Sequence, residues 1–191
     1  MSLKDINAFV DSAFNDTLTP AGVATAVGTR GILVNGHSST CGWTALHWAV
    51  RWRRRELVVA LLAAGANANG KGIHASTSVL WGAAWSTADI LQLLLDAGGS
   101  VNEATNSDIT PLIALVKWNR DDAAARLQVL FACLELDLDA EYEGRTAEQW
   151  AAKLGYMELA VAIADERRRR MRWSVLRVAW IAAVGVYKSC F

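Results

Sequence analysis

Gly42-Trp43-Thr44-Ala45-Leu46-His47-Trp48-Ala49-Val50, followed by Glu56-Leu57-Val58-Val59-Ala60-Leu61-Leu62-Ala63-Ala64-Gly65-Ala66-Asn67-Ala68-Asn69, is the stretch on which the fold turns. Gly42 permits a tight turn, Thr44 brings the hydroxyl that caps a helix, and Ala49 is small enough for a second helix to lie close. Leu57, Val58, Leu61 and Leu62 stand at i, i+1, i+4 and i+5, which makes one apolar helical face, and Gly65 follows as a stop. Two helices this short cannot bury their apolar faces alone. The pair therefore demands neighbours at a fixed spacing.

The neighbours are present. Thr77 follows Thr44 by 33 residues and opens the same pattern, which runs on through Asp89-Ile90-Leu91-Gln92-Leu93-Leu94-Leu95 to Asn102, itself 33 residues after Asn69. A further 33 residues lead to Thr110-Pro111-Leu112, and Thr146, 36 residues beyond Thr110, restores the pattern through Trp150-Ala151-Ala152 and Gly155. The extra length is assigned to Asn119 to Ala125, between the two helices of the third unit. In this register the sequence resembles the ankyrin repeat family, whose pattern runs G-x-T-P-L-H-x-A-A, E-I-V-x-x-L-L and G-A-D-V-N.

That resemblance implies an all-α fold, an ankyrin-type helical solenoid with short hairpin tips, capped at both ends. The expected boundaries are a degenerate N-terminal capping helix pair at 1–38, four repeats at 39–71, 72–104, 105–140 and 141–166, and a basic segment with an apolar capping helix at 167–191. Ile6, Phe9, Val10 and Phe14 have helical spacing in the first segment, and Pro20 suits the start of a second helix. In the last segment Trp173, Leu176, Trp180, Val184 and Tyr187 recur at helical intervals, as docking onto a neighbour requires. Departures from the family pattern are local: Ala45 and Ser78 replace its proline, Arg53-Arg54 its Gly-His, and Asn67 and Ser100 its hairpin aspartate. Asn69 and Asn102 stand at the hairpin asparagine, a residue that can be hydroxylated in this family.

Composition narrows the function classes. Apolar residues make up 53% of the 191 positions and the formal net charge is zero, which favours one cored domain and argues against a general polyanion binder. Cys41, Cys133 and Cys190 are an odd set without framework spacing, so no disulfide is expected. The setting expected is intracellular, cytoplasmic or nuclear. Met1 to Val10 carries charge and lacks a long apolar run, unlike a secretory signal.

Gly65 to Gly72 nearly spells a phosphate-binding loop, but its last position lacks a hydroxyl and it follows an apolar helix where such a loop must follow a strand. His47 falls on the family's histidine, where it supports hydrogen bonding within and between turns. His37 and Cys41 are spaced like two zinc ligands, yet no second pair completes a site. No catalytic residue, cofactor site or metal site is assigned, and the chain is expected not to be an enzyme.

Nine tryptophans are the compositional outlier. Trp48, Trp81 and Trp150 follow the family's histidine position, and Trp52, Trp85 and Trp118 fall on the corresponding helical face near the helix end. The resemblance places such residues on the concave surface that binds partners. Large rings interspersed with Arg51 and Lys117 suit another protein, particularly one carrying carboxylates. The partner-binding set expected is Trp48, Arg51, Trp52, Trp81, Trp85, Lys117 and Trp118. Arginine runs at 53–55 and 167–170 are offset by acidic residues, so nucleic acid is not the expected partner. The alternative reading is a membrane-associated scaffold, held through residues 167–191 by a basic cluster beside an apolar helix.

Overall fold

The computed structural model describes residues 3–30, 33–39, 42–72, 76–118 and 122–188, with backbone alone at 3, 29, 30, 78, 83 and 174–188. Ten helices and one two-stranded hairpin make up the regular structure among these residues. In chain order the helices are α1 (Leu3–Phe14), α2 (Pro20–Arg30), α3 (Ala45–Arg51), α4 (Arg55–Ala63), α5 (Ser78–Trp85), α6 (Ala88–Asp96), α7 (Pro111–Lys117) and α8 (Ala123–Ala132). The strands β1 (Glu141–Tyr142) and β2 (Arg145–Thr146) come next, then α9 (Ala147–Lys153) and α10 (Met157–Lys188).

Four threonines start four of these helices. Thr44, Thr77, Thr110 and Thr146 are the N-caps of α3, α5, α7 and α9, and each hydroxyl accepts from the backbone N–H three residues on. At α9 the cap is reciprocal, because Gln149 Oε1 accepts from the Thr146 N–H at 3.0 Å. Gly65, at φ +86°, closes the turn after α4 in the left-handed region where a Cβ is strained.

The helices contact one another in two rows. α1, α3, α5, α7 and α9 pack in succession, as do α2, α4, α6 and α8. Val10, Leu46, Val50, Leu57, Leu61, Ile90, Leu94, Leu112, Leu115, Leu127 and Ile163 all belong to one buried cluster that runs through both rows. Ala49 and Ala151 are fully buried, and a Cβ on Gly82 would meet Leu94 Cδ1 at 2.9 Å, so small side chains are needed where α5 crosses α6.

Asparagines tie the turns together. Asn35 Oδ1 accepts from the Asn67 N–H at 2.7 Å and its Nδ2 donates to Gly65 O at 3.1 Å. Asn69 does the same to Ser100 N–H and Gly98 O, and Asn102 to Asp137 N–H and Glu135 O. Each amide thus satisfies one donor and one acceptor of the following unit.

α10 corrects an expectation. It runs unbroken through the arginine run, so no junction separates residues 157–166 from 167–188. Among the described residues no helix is long and apolar enough to cross a membrane. This overturns the membrane contact expected through residues 167–191 and the membrane-scaffold alternative with it. The arginines also have another use: Arg170 donates to the carbonyls of Phe131 and Cys133 at 3.2 and 2.9 Å, and to those of Leu134 and Leu136 at 3.2 and 2.9 Å. Arg167 donates to Glu148 Oε2 at 2.7 Å and Leu138 O at 2.9 Å. Guanidinium groups held in this way clamp α10 to α8 and the turn after it. The apolar stripe beyond Trp173 lies outside the described side chains.

Candidate interaction surface

The aromatic side chains divide into an inner cluster and an outer ledge. Trp43, which precedes the Thr44 cap, is buried, with its ring centroid 4.4 Å from Trp48 and 4.7 Å from Trp81. Phe14 of α1 lies 4.6 Å from Trp48 on the other side. The indole N–H groups of Trp43, Trp48 and Trp81 are buried and find no acceptor among the described residues, so this cluster is held by ring area alone. Trp48 and Trp81 are half-buried and pack against the core.

One helical turn further on, at the C-terminal ends of α3, α5 and α7, the rings reach the surface. Trp52 lies 6.2 Å from Trp48 and Trp85 lies 6.3 Å from Trp81, the neighbour relation that i and i+4 positions impose. Trp52 is 46% exposed. Trp85 and Trp118 stack at 6.2 Å across the gap between α5 and α7. Arg51 bridges Trp52 and Trp85, its guanidinium carbon 5.4 and 4.5 Å from their centroids.

Arg53 adds a second guanidinium in the same place. Its backbone has φ +57°, a conformation that glycine adopts freely and that costs an ordinary residue ~1–2 kcal/mol. The family has glycine at this point. Arg53 spends part of its donor capacity on Trp85 O at 2.9 Å, tying the α3–α4 turn to the end of α5.

A second group of cations surrounds Trp150 in the gap between α7 and α9. The ring is buried, and its Nε1 donates to Tyr142 O at 2.9 Å. Lys117 Nζ lies 4.1 Å from the Tyr142 centroid and 4.4 Å from that of Trp150. Lys153 Nζ and the Arg145 guanidinium stand 4.6 and 5.5 Å from the Trp150 ring. The hairpin of β1 and β2 delivers Arg145, through a turn in which Glu143 and Gly144 both have positive φ.

The other arginines are committed within the chain. Arg54 pairs with Asp16, Arg55 Nε lies 3.1 Å from Asp89 Oδ2, Arg168 pairs with Asp165, and Arg169 Nη2 lies 2.7 Å from Glu166 Oε1. These pairs account for most of the charge in the two arginine runs. Lys71, in the loop that resembled a phosphate site, pairs with Glu103 at 2.6 Å, and that loop follows helix α4. No group of three or more His, Cys, Asp or Glu side chains is placed to hold a metal ion among the described residues. Cys41 lies outside them.

His47 is the one strongly shifted titratable group. Thr44 N–H donates to its Nδ1 at 3.3 Å, and its Nε2 stands 3.2 Å from Ser76 O. With Nδ1 accepting, the proton sits on Nε2 and is donated to Ser76 across to the next unit. Burial pushes the imidazole down to about 4, against the smaller upward pull of Ser76. A neutral histidine inside a capping box is a structural joint.

Residues 41–72 match the family model of the ankyrin repeat. The chain carries an ankyrin repeat. No curated protein matches it. Within the matched repeat lie Trp43, His47, Trp48, Arg51, Trp52 and Arg53, which supply the inner cluster and the first part of the ledge. Sequence reasoning overlooked Trp43, since the position before the capping threonine carries no periodic signal. It also overlooked Asn35, although Val34-Asn35 stands one repeat length before Ala68-Asn69. The ankyrin repeat residues that sequence did single out, Trp48, Arg51 and Trp52, are adjoined by Trp81, Trp85, Lys117 and Trp118 from the following helices.

Proposed function

We propose that this chain is a non-catalytic adaptor, an ankyrin-type solenoid that binds another protein on the concave side of its first-helix row. The repeats run over 39–71, 72–104, 105–140 and 141–166, and residues 1–38 cover the N-terminal end of the stack. Trp52, Trp85 and Trp118, with Arg51 and Lys117, meet the partner, while Trp48 and Trp81 support them from behind. The observation that carries this reading is the continuous aromatic ledge at the ends of α3, α5 and α7, where rings sit half in solvent with cations on their faces. Such rings supply large contact area at low cost in side-chain entropy, which is how interface anchors work.

Trp52→Ala, Trp85→Ala and Trp118→Ala combined should abolish capture of the partner while the far-ultraviolet circular dichroism spectrum stays helical. Each anchor contributes ~2 kcal/mol to association if it is a hot spot. A triple variant that unfolds would assign these rings to the core and overturn the reading.

A further inference from the structure

The cations on the ledge form two groups with a gap between them. Arg51 and Arg53 lie between α3 and α5, and Lys117, Arg145 and Lys153 lie around one indole between α7 and α9. Arg53, Lys117, Arg145 and Lys153 form no carboxylate ion pair among the described residues, although most arginines elsewhere do. Three positive charges around a single ring repel one another inside the ~10 Å screening length of ordinary salt. Arg53, moreover, is held at positive φ where glycine would be relaxed. Strain of this kind points to a use for the side chain beyond the fold.

We propose that this ledge takes an extended acidic peptide segment with two carboxylates about five or six residues apart, an inference that rests on the partner-binding reading above. One carboxylate meets Arg51 and Arg53, and the other meets the group formed by Lys117, Arg145 and Lys153. Between them the segment crosses the stacked Trp85 and Trp118 rings, which favour apolar side chains. The spacing follows from geometry: two helix-to-helix steps of ~8–10 Å separate the two gaps, and an extended chain advances ~3.3 Å per residue. A nucleic acid strand fits less well, because its charge is continuous while the ledge is uncharged at Trp85 and Trp118, and the exposed Glu141 and Glu143 flank the far end.

The test uses the full chain and fluorescent synthetic peptides that carry two glutamates at separations from about two to about nine residues. Matched glutamine peptides and an oligothymidylate serve as the other arms. Anisotropy should give tightest binding at a separation of about five or six and about tenfold weaker binding or worse for the glutamine peptide. Arg53→Gly should weaken the best peptide about tenfold without lowering the melting temperature, because it relieves the left-handed backbone as it removes the charge. Lys117→Met should weaken it similarly. Affinity that ignores glutamate spacing, equal binding of the glutamine peptide, or preference for oligothymidylate would each overturn the proposal. If the triple tryptophan variant loses its partner while acidic peptides ignore Arg53→Gly and Lys117→Met, the ledge stands and the acidic segment falls. If the tryptophan variant also retains its partner, both readings fall.

Discussion

Buried imidazole nitrogens leave His47 little freedom over its charge. Its Nδ1 accepts from Thr44 N–H, so protonation there would remove the acceptor that completes the α3 cap. The group's ordinary value of 6.5 is lowered to about 4, first by burial. Between those values the unfolded chain binds a proton that the folded chain refuses, so the stability is whole above pH 6.5 and is lost as the pH falls toward about 4. The loss should reach about 3 kcal/mol. Urea unfolding midpoints across this window check it, with His47→Gln expected to flatten the dependence. An unchanged slope in the glutamine variant would assign the loss to carboxylates instead. The role of His47 was legible from its place three residues after Thr44. The shielding of its ring by Trp43 was not, because that contact depends on how the side chains pack.

Helix ends decide stability at the next scale. Thr110→Ala removes the hydroxyl that accepts from the Ile113 N–H, and should cost ~1 kcal/mol in thermal or urea unfolding. Ala49→Glu is a harsher change, since it brings an unpaired charge to a fully buried position between helices, and should cost several kcal/mol. A variant that melts within a degree or two of wild type would show that α3 does not present this face inward. Arg170 is the element-scale surprise. Arg170→Met should cost ~2–4 kcal/mol, because it uncovers four carbonyls after α8 and leaves Glu166 with one guanidinium fewer. Hydrogen exchange should quicken first at the α8 C-terminus. In sequence, Arg167 to Arg170 reads as a basic surface run, since nothing local shows that every fourth guanidinium points back to carbonyls more than thirty residues earlier.

Across the whole molecule, each unit leans on the next through an asparagine rung and a pair of helix contacts. Asn35→Ala should therefore loosen α1 and α2 from the rest, with faster exchange there and a loss of ~1–2 kcal/mol, while α7 to α10 keep their protection. Deletion of residues 1–38 goes further. It strips Phe14 from Trp48 and uncovers the α3 surface that α1 now covers, so the remainder should melt lower and self-associate on size-exclusion chromatography. A truncated chain that stays monomeric with an unchanged melting temperature would show that this helix pair is not the cover of the stack.

Periodic features were readable before any coordinates: capping threonines, the helix pairs behind them, small residues at close crossings and the candidate ring positions all follow from local chemistry repeated at a fixed interval. Which rings face inward, which cations share an indole and where the arginines of α10 anchor follow from contacts between residues far apart in the chain. Those contacts depend on the angle and depth at which each helix settles against the next. Backbone period sets where a side chain begins, and packing in three dimensions sets what it touches.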